Sequence, residues 1–305
     1  MAKRDFLNLR DLSRDELEGI FTLARDLKKK QQRGILHPLL AHRCLAMIFE
    51  KPSLRTRVTF EAGMVQLGGH AVFLGPDEIQ LGVRETPADV ARSLSRWVDI
   101  ITVRTFAQGT LEEIARHASV PVINALTDLS HPCQVLADCL TLLERKGNLD
   151  RLKVAYVGDG NNMVNSWMEA AERFSLTFAI ACPKGYEPDG RVESDARRAG
   201  ARITVTDSVE EAVRGADAVY TDVWASMGQE EEAKSRAQIF SHYQVNERVV
   251  EMAKGDAVVM HCLPAHRGQE ITDEVLEGPQ CVAFDQAENR LHVQKAVMVW
   301  LVNGF

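Results

Sequence analysis

Apolar and polar positions repeat along this 305-residue chain with two different periods, and the change from one period to the other marks its helices and strands. Near the start, apolar residues recur at helical spacing at Leu17, Ile20, Phe21, Ala24 and Leu27. Ser13 and Glu16 precede them as a capping box, and the pattern stops at Gly34. The first long element is therefore predicted to be a helix.

Short apolar runs then alternate with helical patterns in two series. The first series predicts strands at Cys44–Phe49, Ala71–Leu74, Ile100–Val103 and Val120–Ala125. The second series predicts strands at Lys153–Val157, Thr177–Cys182, Arg202–Thr206, Ala218–Asp222, Ala257–Met260 and Val282–Phe284. Such alternation is typical of parallel sheets that helices cover on both faces. We therefore predict an α/β fold with doubly wound parallel sheets.

The polar segment 144–150 separates the two series of strands. The length of the chain also favours two domains of roughly 150 residues each. We place the boundary in this segment, with one domain at residues 1–145 and the other at 150–286. Helical spacing returns at Val293–Val302, a segment that could pack on either domain.

Composition limits the kinds of partner. The formal net charge of −7 is too acidic for a general nucleic-acid or anionic-membrane surface, so a local cluster of cations must hold any bound anion. The longest apolar run, Ala296–Val302, is far shorter than the roughly 20 residues of a membrane helix. We find no signal peptide, and the 6 cysteines show no metal-finger spacing, so we expect reduced thiols in a cytoplasmic protein.

The segment Ser53-Leu54-Arg55-Thr56-Arg57 follows the first predicted strand and opens a helix, with Ser53 as N-cap. Arginines are unfavourable in this first turn because the positive end of the helix macrodipole lies there. A bound anion reverses that cost, since backbone N–H groups, hydroxyls and a guanidinium together form a phosphate site. Residues two apart face different directions, so we favour Arg55 over Arg57 as the contact. A solvated basic turn is the alternative.

Other cations lie where strands end, which is where open α/β sheets bind ligands. Arg104 terminates one strand and Arg290 follows another; for Arg104, a surface arginine is the alternative. His131 stands before Pro132 at a helix start. The dipole there would keep the imidazole neutral and able to donate to a carbonyl oxygen. A simple helix cap is the alternative for His131.

The segment Gly158-Asp159-Gly160-Asn161-Asn162 follows a strand, as the start of a dinucleotide-binding motif does. Met163 occupies the third glycine position, however, and no acid follows at the distance where one would bind a ribose hydroxyl. A dinucleotide site is therefore disfavoured. Two asparagines remain at the ligand-binding edge, and we expect one of them to serve only the turn.

Two further motifs lie at strand ends in the second series. Asp222 is suited to a cationic amine, and Ser226-Met227-Gly228 follows it, before a polar segment, Gln229–Arg236, that we interpret as a surface loop. His261-Cys262-Leu263-Pro264 ends the next strand. Adjacent residues of an extended chain point to opposite faces, which disfavours a catalytic pair of His261 and Cys262. A metal site is the alternative, formed by His261, Cys262 and His266.

Together these motifs resemble the ornithine carbamoyltransferases over essentially the whole chain, in family order and spacing. The resemblance implies two doubly wound parallel-sheet domains, one for each substrate, with the active site in the cleft between them. It also implies a C-terminal helix, at about residues 287–305, that packs back on the first domain. No cofactor and no metal are implied. A homotrimer is implied, in which Gln80 reaches into a neighbouring subunit's site.

The resemblance also implies residue roles. Carbamoyl phosphate is expected to bind through Ser53, Leu54, Arg55, Thr56, Gln80, Arg104, His131, Gln134, Cys262, Leu263 and Arg290. Ornithine is expected to bind through Asn162, Asp222, Ser226 and Met227. The expected catalytic residues are Arg104, His131 and Cys262. Leu54 departs from the family, which commonly has threonine or methionine there, but its backbone N–H is available whatever the side chain.

The implied reaction moves the carbamoyl group from carbamoyl phosphate to the δ-amine of L-ornithine, giving L-citrulline and phosphate for arginine biosynthesis. Thr56, Arg104 and His131 would stabilise the oxyanion that develops. Cys262 or Asp222 would orient or deprotonate the δ-ammonium. The alternatives are a catabolic enzyme of the same family, a carbamoyltransferase for a related amine, an NAD-linked dehydrogenase and a noncatalytic binding protein.

Overall fold

The computed structural model of the chain describes residues 3–225 and 232–304. These residues form two compact units. The first comprises the residues up to Ala137 together with those from Glu288 onward, and the second comprises Asp138–Ala287. Two helices, α6 (Pro132–Lys146) and α13 (Ala283–Asn303), continue from one unit into the other.

The first unit contains a parallel sheet whose described strands are β1 (Cys44–Phe49), β2 (His70–Leu74), β3 (Ile100–Arg104) and β4 (Val122–Leu126). Their order is β2-β1-β3-β4. The helices of this unit, apart from α6 and α13, are α1 (Arg14–Gln32), α2 (Leu54–Gln66), α3 (Pro76–Ile79), α4 (Pro87–Leu94) and α5 (Gln108–His117), after a 3-10 turn at Leu9–Asp11. The predicted capping box is present at the start of α1, where Ser13 accepts a hydrogen bond from the Glu16 backbone.

The second unit contains another parallel sheet, with described strands β5 (Lys153–Val157), β6 (Thr177–Ala181), β7 (Arg202–Thr206), β8 (Ala218–Thr221) and β9 (Val258–His261). Their order is β7-β6-β5-β8-β9. Its helices are α7 (Asn162–Arg173), α8 (Gly190–Arg198), α9 (Val209–Val213), α10 (Ala233–Ile239), α11 (Glu247–Glu251) and α12 (Asp273–Leu276), with a 3-10 turn at Phe240–Tyr243.

Both sheets reverse their strand order once, and this reversal selects where a ligand can bind. In the first sheet the order reverses between β1 and β3, and in the second between β5 and β8. Helices that cover opposite faces diverge at such a point, which leaves a crevice beyond the carboxyl ends of the two strands. The predicted α/β class, with two parallel sheets flanked by helices, is confirmed.

One predicted strand is wrong. Residues 282–284 do not form a strand, because α13 begins at Ala283. This segment pairs with the sheet at an isolated bridge, between Cys281 and Val259 of β9. The Val282 N–H also donates to the Val259 carbonyl at 2.9 Å. A run of three apolar residues has no resolvable period, so tertiary packing decided between helix and strand.

The compact units divide inside α6 at Ala137 and Asp138, whereas the polar segment that we chose as a boundary begins in the last turn of this helix. Asp138 groups with the second unit because both of its carboxylate oxygens are bonded there. It accepts from Tyr220 Oη at 3.0 Å and from Gln286 Nε2 at 2.9 Å. The limits of residues 1–145 and 150–286 stay a prediction about domains.

Two features of composition have structural counterparts. No helix in the described ranges is long and apolar enough to cross a membrane. All 6 cysteines are free thiols. Burial raises the pKa of Cys133 and that of Cys182 to about 12, so neither is an effective nucleophile near neutral pH.

Candidate active site

The first group of predicted site residues lies at the switch point of the first sheet. Ser53 caps α2, where its Oγ accepts from the Thr56 backbone N–H at 3.3 Å. Arg104 ends β3 and pairs in register with Phe49, the last residue of β1. Arg104 and Thr56 are buried, while Arg55 is half-buried in the first turn of α2. The predicted helix start and strand end therefore deliver their side chains to one edge of the sheet.

Arg290 brings three helices of the first unit together. Its Nη1 donates to Gln134 Oε1 on α6 at 2.8 Å, and its Nη2 donates to Thr56 Oγ1 on α2 at 2.7 Å. Arg290 is 3% exposed, and both partners are 1% exposed. We call Ser53, Arg55, Thr56, Arg104, His131, Gln134 and Arg290 the cationic cluster. The Gln134 and Thr56 oxygens that accept these two bonds belong to neutral side chains.

His131 is the histidine of the cationic cluster, and its environment favours the neutral form. Burial lowers its pKa well below the ordinary value of 6.5, and Arg290, Arg104 and Arg55 lower it further. The imidazole is therefore uncharged near pH 7, as the sequence predicted from its place at the start of α6. A neutral imidazole can donate a hydrogen bond to a carbonyl oxygen without adding another positive charge.

Three other residues considered in the sequence analysis are Arg57, Leu54 and Gln80. The Arg57 guanidinium lies 3.7 Å from the centre of the Phe73 ring. The Leu54 side chain is 73% exposed. Gln80 follows α3 in left-handed backbone, with φ of 46°, and among the described contacts none joins its exposed side chain to the cationic cluster.

The second group lies at the switch point of the second sheet, around Asp222. This residue directly follows β8, and its carboxylate accepts from Asn161 Nδ2 at 3.1 Å, from Cys262 Sγ at 2.9 Å and from the Val223 backbone at 2.8 Å. Thr221 and His261 pair in register at the ends of β8 and β9, which brings Asp222 and Cys262 together. All three donors are neutral groups. A carboxylate whose hydrogen-bond donors are neutral is suited to a cationic ligand.

The structure separates the two asparagines after β5. Asn161 caps α7, because its Oδ1 accepts from the backbone N–H groups of Met163 and Val164. Its Nδ2 is the group that reaches Asp222. Sequence reasoning missed this second contact of Asn161 and assigned the ligand to Asn162, which is half-buried at the first position of α7. The N-cap spacing was a signal for the turn, but nothing local indicated Asp222 as its partner.

His261 serves the turn that follows β9. Its Nδ1 accepts from the Leu263 backbone N–H at 2.9 Å, and its Nε2 lies 3.1 Å from Glu270 Oε1. Ligand atoms of Asp222, His261 and Cys262 lie within 4.8 Å of one another, a spacing that a metal could use. Both imidazole nitrogens are hydrogen-bonded within the protein, however, so this donor set fits a structural histidine better than a metal ligand. His266 is exposed and donates its backbone N–H to Glu270.

Arg236 and Asp159 form a buried ion pair that sequence reasoning missed. Arg236 Nη1 lies 3.1 Å from Asp159 Oδ2 and donates to the Trp224 carbonyl at 3.0 Å. Burial raises the pKa of Asp159 to about 6, although Arg236 opposes that shift. The expected surface loop over Gln229–Arg236 is therefore wrong in its last part, where α10 begins at Ala233 and buries Arg236. Ser226, Met227 and Gly228 lie outside the described residues.

These features define a class of protein: a two-unit α/β protein with a cluster of cationic side chains at the switch point of one sheet and a hydrogen-bonded carboxylate at the switch point of the other. Residues 4–144 match the carbamoyl-P binding domain of aspartate/ornithine carbamoyltransferases, and residues 150–301 match the Asp/Orn binding domain. The chain belongs to the aspartate/ornithine carbamoyltransferase family and is a carbamoyltransferase enzyme.

Individual relatives match along nearly their whole length. The ornithine carbamoyltransferase of Geobacter sulfurreducens is 53% identical over 300 residues, which are 98% of this chain and 99% of the relative. The structure of ornithine carbamoyltransferase from Pyrococcus furiosus has a TM-score of 0.95 and 49% identity, covering 100% of this chain and 98% of that one. The anabolic ornithine carbamoyltransferase of Campylobacter jejuni has a TM-score of 0.93 and 39% identity, covering 99% and 100%.

Proposed function

We propose that this chain is an ornithine carbamoyltransferase of arginine biosynthesis, which forms L-citrulline and phosphate from carbamoyl phosphate and L-ornithine. The observation that carries the proposal is the full-length identity of 53% to a relative of that name. The similarity to an anabolic enzyme of the same name supports the biosynthetic direction.

The carbamoyl donor is assigned to the cationic cluster. Its phosphate would lie at the start of α2, against the backbone N–H groups at Leu54 and Arg55 and the Ser53 hydroxyl, where helix dipole and guanidinium both favour an anion. Arg290 and Gln134 would complete this site, with Cys262 and Leu263 of the second unit as further contacts. The carbonyl oxygen would face Thr56, Arg104 and His131. In such reactions, removing one donor to a developing oxyanion raises the activation free energy by about 2.7–4 kcal/mol.

The amine acceptor is assigned to the carboxylate of Asp222, with Asn162, Ser226 and Met227 as additional contacts. In the reaction, the neutral δ-nitrogen of ornithine forms a bond to the carbamoyl carbon, and the bond from that carbon to the phosphate oxygen breaks. The δ-ammonium must first lose a proton. The Cys262 thiol donates to Asp222 at 2.9 Å, so the two groups form one hydrogen-bonded unit that can orient the amine and accept this proton. No cofactor is needed for this direct transfer.

We also propose a homotrimer in which Gln80 acts in a neighbouring subunit's site. Exposed apolar residues follow one face of α2 and continue to the edge strand β2 and the turn after Gln80, at Leu54, Val58, Val65, Val72 and Val83. Large apolar side chains exposed on one helix face are typical of a protein interface. The free thiols are compatible with the cytoplasm, where we propose that the enzyme acts.

The test of the reaction is citrulline formation from carbamoyl phosphate and ornithine by the purified full-length chain, with rates measured in both directions. Turnover that is faster with aspartate, putrescine or N-acetylornithine than with ornithine would overturn the substrate assignment. A reverse reaction that dominates at physiological phosphate would overturn the biosynthetic direction. No turnover by a folded protein would refute the proposal altogether.

The test of the shared site mixes two inactive variants, Arg55→Ala and Gln80→Ala, after mild dissociation. If Gln80 acts in a neighbouring subunit, random trimers regain about a quarter of the wild-type activity, because some sites combine both intact residues. Failure to regain activity, or a monomer in sedimentation velocity, would show that the site is complete within one chain.

A further inference from the structure

Lys295 is a buried ammonium group that the proposed reaction does not use. It lies on α13 in the first unit and has no exposed surface. Its Nζ donates to Gln31 Oε1 on α1 and to Gln66 Oε1 on α2, each at 2.8 Å, and lies 3.2 Å from His37 Nε2. One side chain thus joins α13 to α1, α2 and the segment between α1 and β1.

All three partners of Lys295 are neutral acceptors. The amides of Gln31 and Gln66 offer their oxygens. His37 Nδ1 lies 2.9 Å from the Ile35 carbonyl, which can only accept, so Nδ1 carries the hydrogen and Nε2 is left to accept from Lys295. His37 is the titratable group that faces Nζ among the described contacts. Three N–H bonds therefore meet three acceptors, and no carboxylate is among the contacts of Nζ in the part of the chain that the structure describes.

Burying this ammonium group costs free energy of folding, which is unexpected for a residue whose role is to stabilise the fold alone. A buried charge without a countercharge is unfavourable, and here burial lowers the pKa of Lys295 to about 8. An apolar side chain of similar length would avoid that cost. A role for the ammonium other than stability follows from the two helices that it joins, α2 and α13, because these helices also carry Thr56 and Arg290.

The helices α2 and α13 are joined at both ends of α2. At its first turn, Arg290 of α13 donates to Thr56 at 2.7 Å. At its last residue, Lys295 of α13 donates to Gln66. Between these points the helices are close, because a Cβ placed on Gly63 would lie only 3.2 Å from Lys295 Cγ. The stem of Lys295 therefore passes over Gly63 on its way to Gln66.

We propose that Lys295 is a positioning residue for the phosphate site, whose ammonium fastens the end of α2 to α13 and thereby sets Arg290 against the first turn of α2. The inference rests on the proposed function, in which that turn and Arg290 hold the phosphate. A neutral amine has two N–H bonds and a lone pair, so one of the three acceptors then faces a lone pair and the fastening loosens.

The experiment measures binding of inorganic phosphate, the expected product, to the full-length chain by calorimetry. Two matched variants each remove one acceptor of the same ammonium: Gln66→Met on α2 and Gln31→Met on α1. We expect Gln66→Met and Lys295→Met to raise the phosphate Kd about three- to tenfold, and Gln31→Met to change it less than twofold. The exposed Lys29→Met is the control for loss of a positive charge.

A pH series on the unmodified chain supplies a second readout that does not depend on any variant folding. Its phosphate Kd should rise at least threefold from pH 7.5 to 9.5, and the rise should be smaller in Gln66→Met. Equal effects of Gln31→Met and Gln66→Met, or no effect of either, would show that Lys295 is structural only. These outcomes are separate from the proposed function, which fails if the wild-type chain forms no citrulline.

Discussion

The two polar clusters occupy the same place in their sheets and have opposite charge. In the first unit, the crevice beyond β1 and β3 collects Arg55, Arg104 and Arg290 around a neutral imidazole. In the second unit, the crevice beyond β5 and β8 collects Asp222 and Asp159. Two similar folding units thus carry ionic groups of opposite sign in the segments that follow their strands.

The comparison also shows a common electrostatic rule. Burial first, and the three arginines next, push His131 towards its neutral form by lowering its pKa. Burial raises the pKa of Asp159 towards its neutral form, with Asp222 contributing in the same direction. Each cluster therefore disfavours further charge of its own sign, although in the second cluster Arg236 already pairs with Asp159.

The largest effect that would test this contrast is expected from Arg290→Met. Removing one partner from a buried charged network costs about 3–5 kcal/mol. We therefore expect kcat/KM for carbamoyl phosphate to fall about 1,000-fold. The KM for ornithine should change less than threefold, because the amine is assigned to the other cluster. The control is Arg57→Met, whose exposed guanidinium stacks on Phe73. An equal loss for both substrates would break the contrast.

A smaller effect is expected in the pH dependence of stability of Asp159→Asn. The pKa of Asp159 is about 6 in the folded protein and 3.8 ordinarily. Between these two values the folded protein binds more protons than the unfolded chain. Asp159 therefore lowers the free energy of unfolding as pH rises from 3.8 to 6. The free energy of unfolding of the variant, minus that of the wild type, should therefore increase by about 3 kcal/mol from pH 3.5 to 7. Urea unfolding measures it, with Asp195→Asn, at a half-buried position on α8, as control. A difference that is flat with pH would contradict the assignment.

His131 acts in the opposite direction. Its lowered pKa means that the unfolded chain binds more protons near pH 6, so this group contributes stability at neutral pH that is lost as pH falls below 6.5.

A third, smaller effect is expected for Asp222→Asn. Replacing the carboxylate removes a charge-assisted contact to the amine, worth about 2 kcal/mol, so the KM for ornithine should rise about 30-fold. Phosphate binding should stay within twofold of wild type, as measured by calorimetry. Asp207→Asn, at an exposed position in the same unit, is the control. A variant that loses phosphate binding as strongly as ornithine binding would show that the clusters are not separate.

The smallest effect is expected for Leu54→Thr, which introduces a residue common in the family. The side chain is 73% exposed in the isolated chain, and the expected contribution to phosphate binding is the backbone N–H. Kinetic constants for carbamoyl phosphate should therefore stay within twofold of wild type. A larger change would assign the side chain itself a role in the site.

Motifs that follow a strand directly were predictable, because a strand end and the next helix start are only a few residues apart. Ser53 as a helix cap and Asp222 at the end of β8 are examples. Contacts between distant segments were not. The Arg290 bonds to Thr56 and Gln134 span 234 and 156 residues, and the Arg236 bond to Asp159 spans 77. Arg236 carried no local signal at all, since it ends a polar run that looks solvated.

By itself, the sequence determined the α/β class, the helix start that can hold phosphate, and the positions after each strand where ligands could bind. These follow from periodicity and capping, which act over a few residues. Only the tertiary structure decided that Arg290 closes the cationic cluster, that Asn161 rather than Asn162 holds Asp222, and that Lys295 joins three helices. Those choices depend on which distant side chains the packed helices bring within hydrogen-bond distance, and a local pattern carries no record of that.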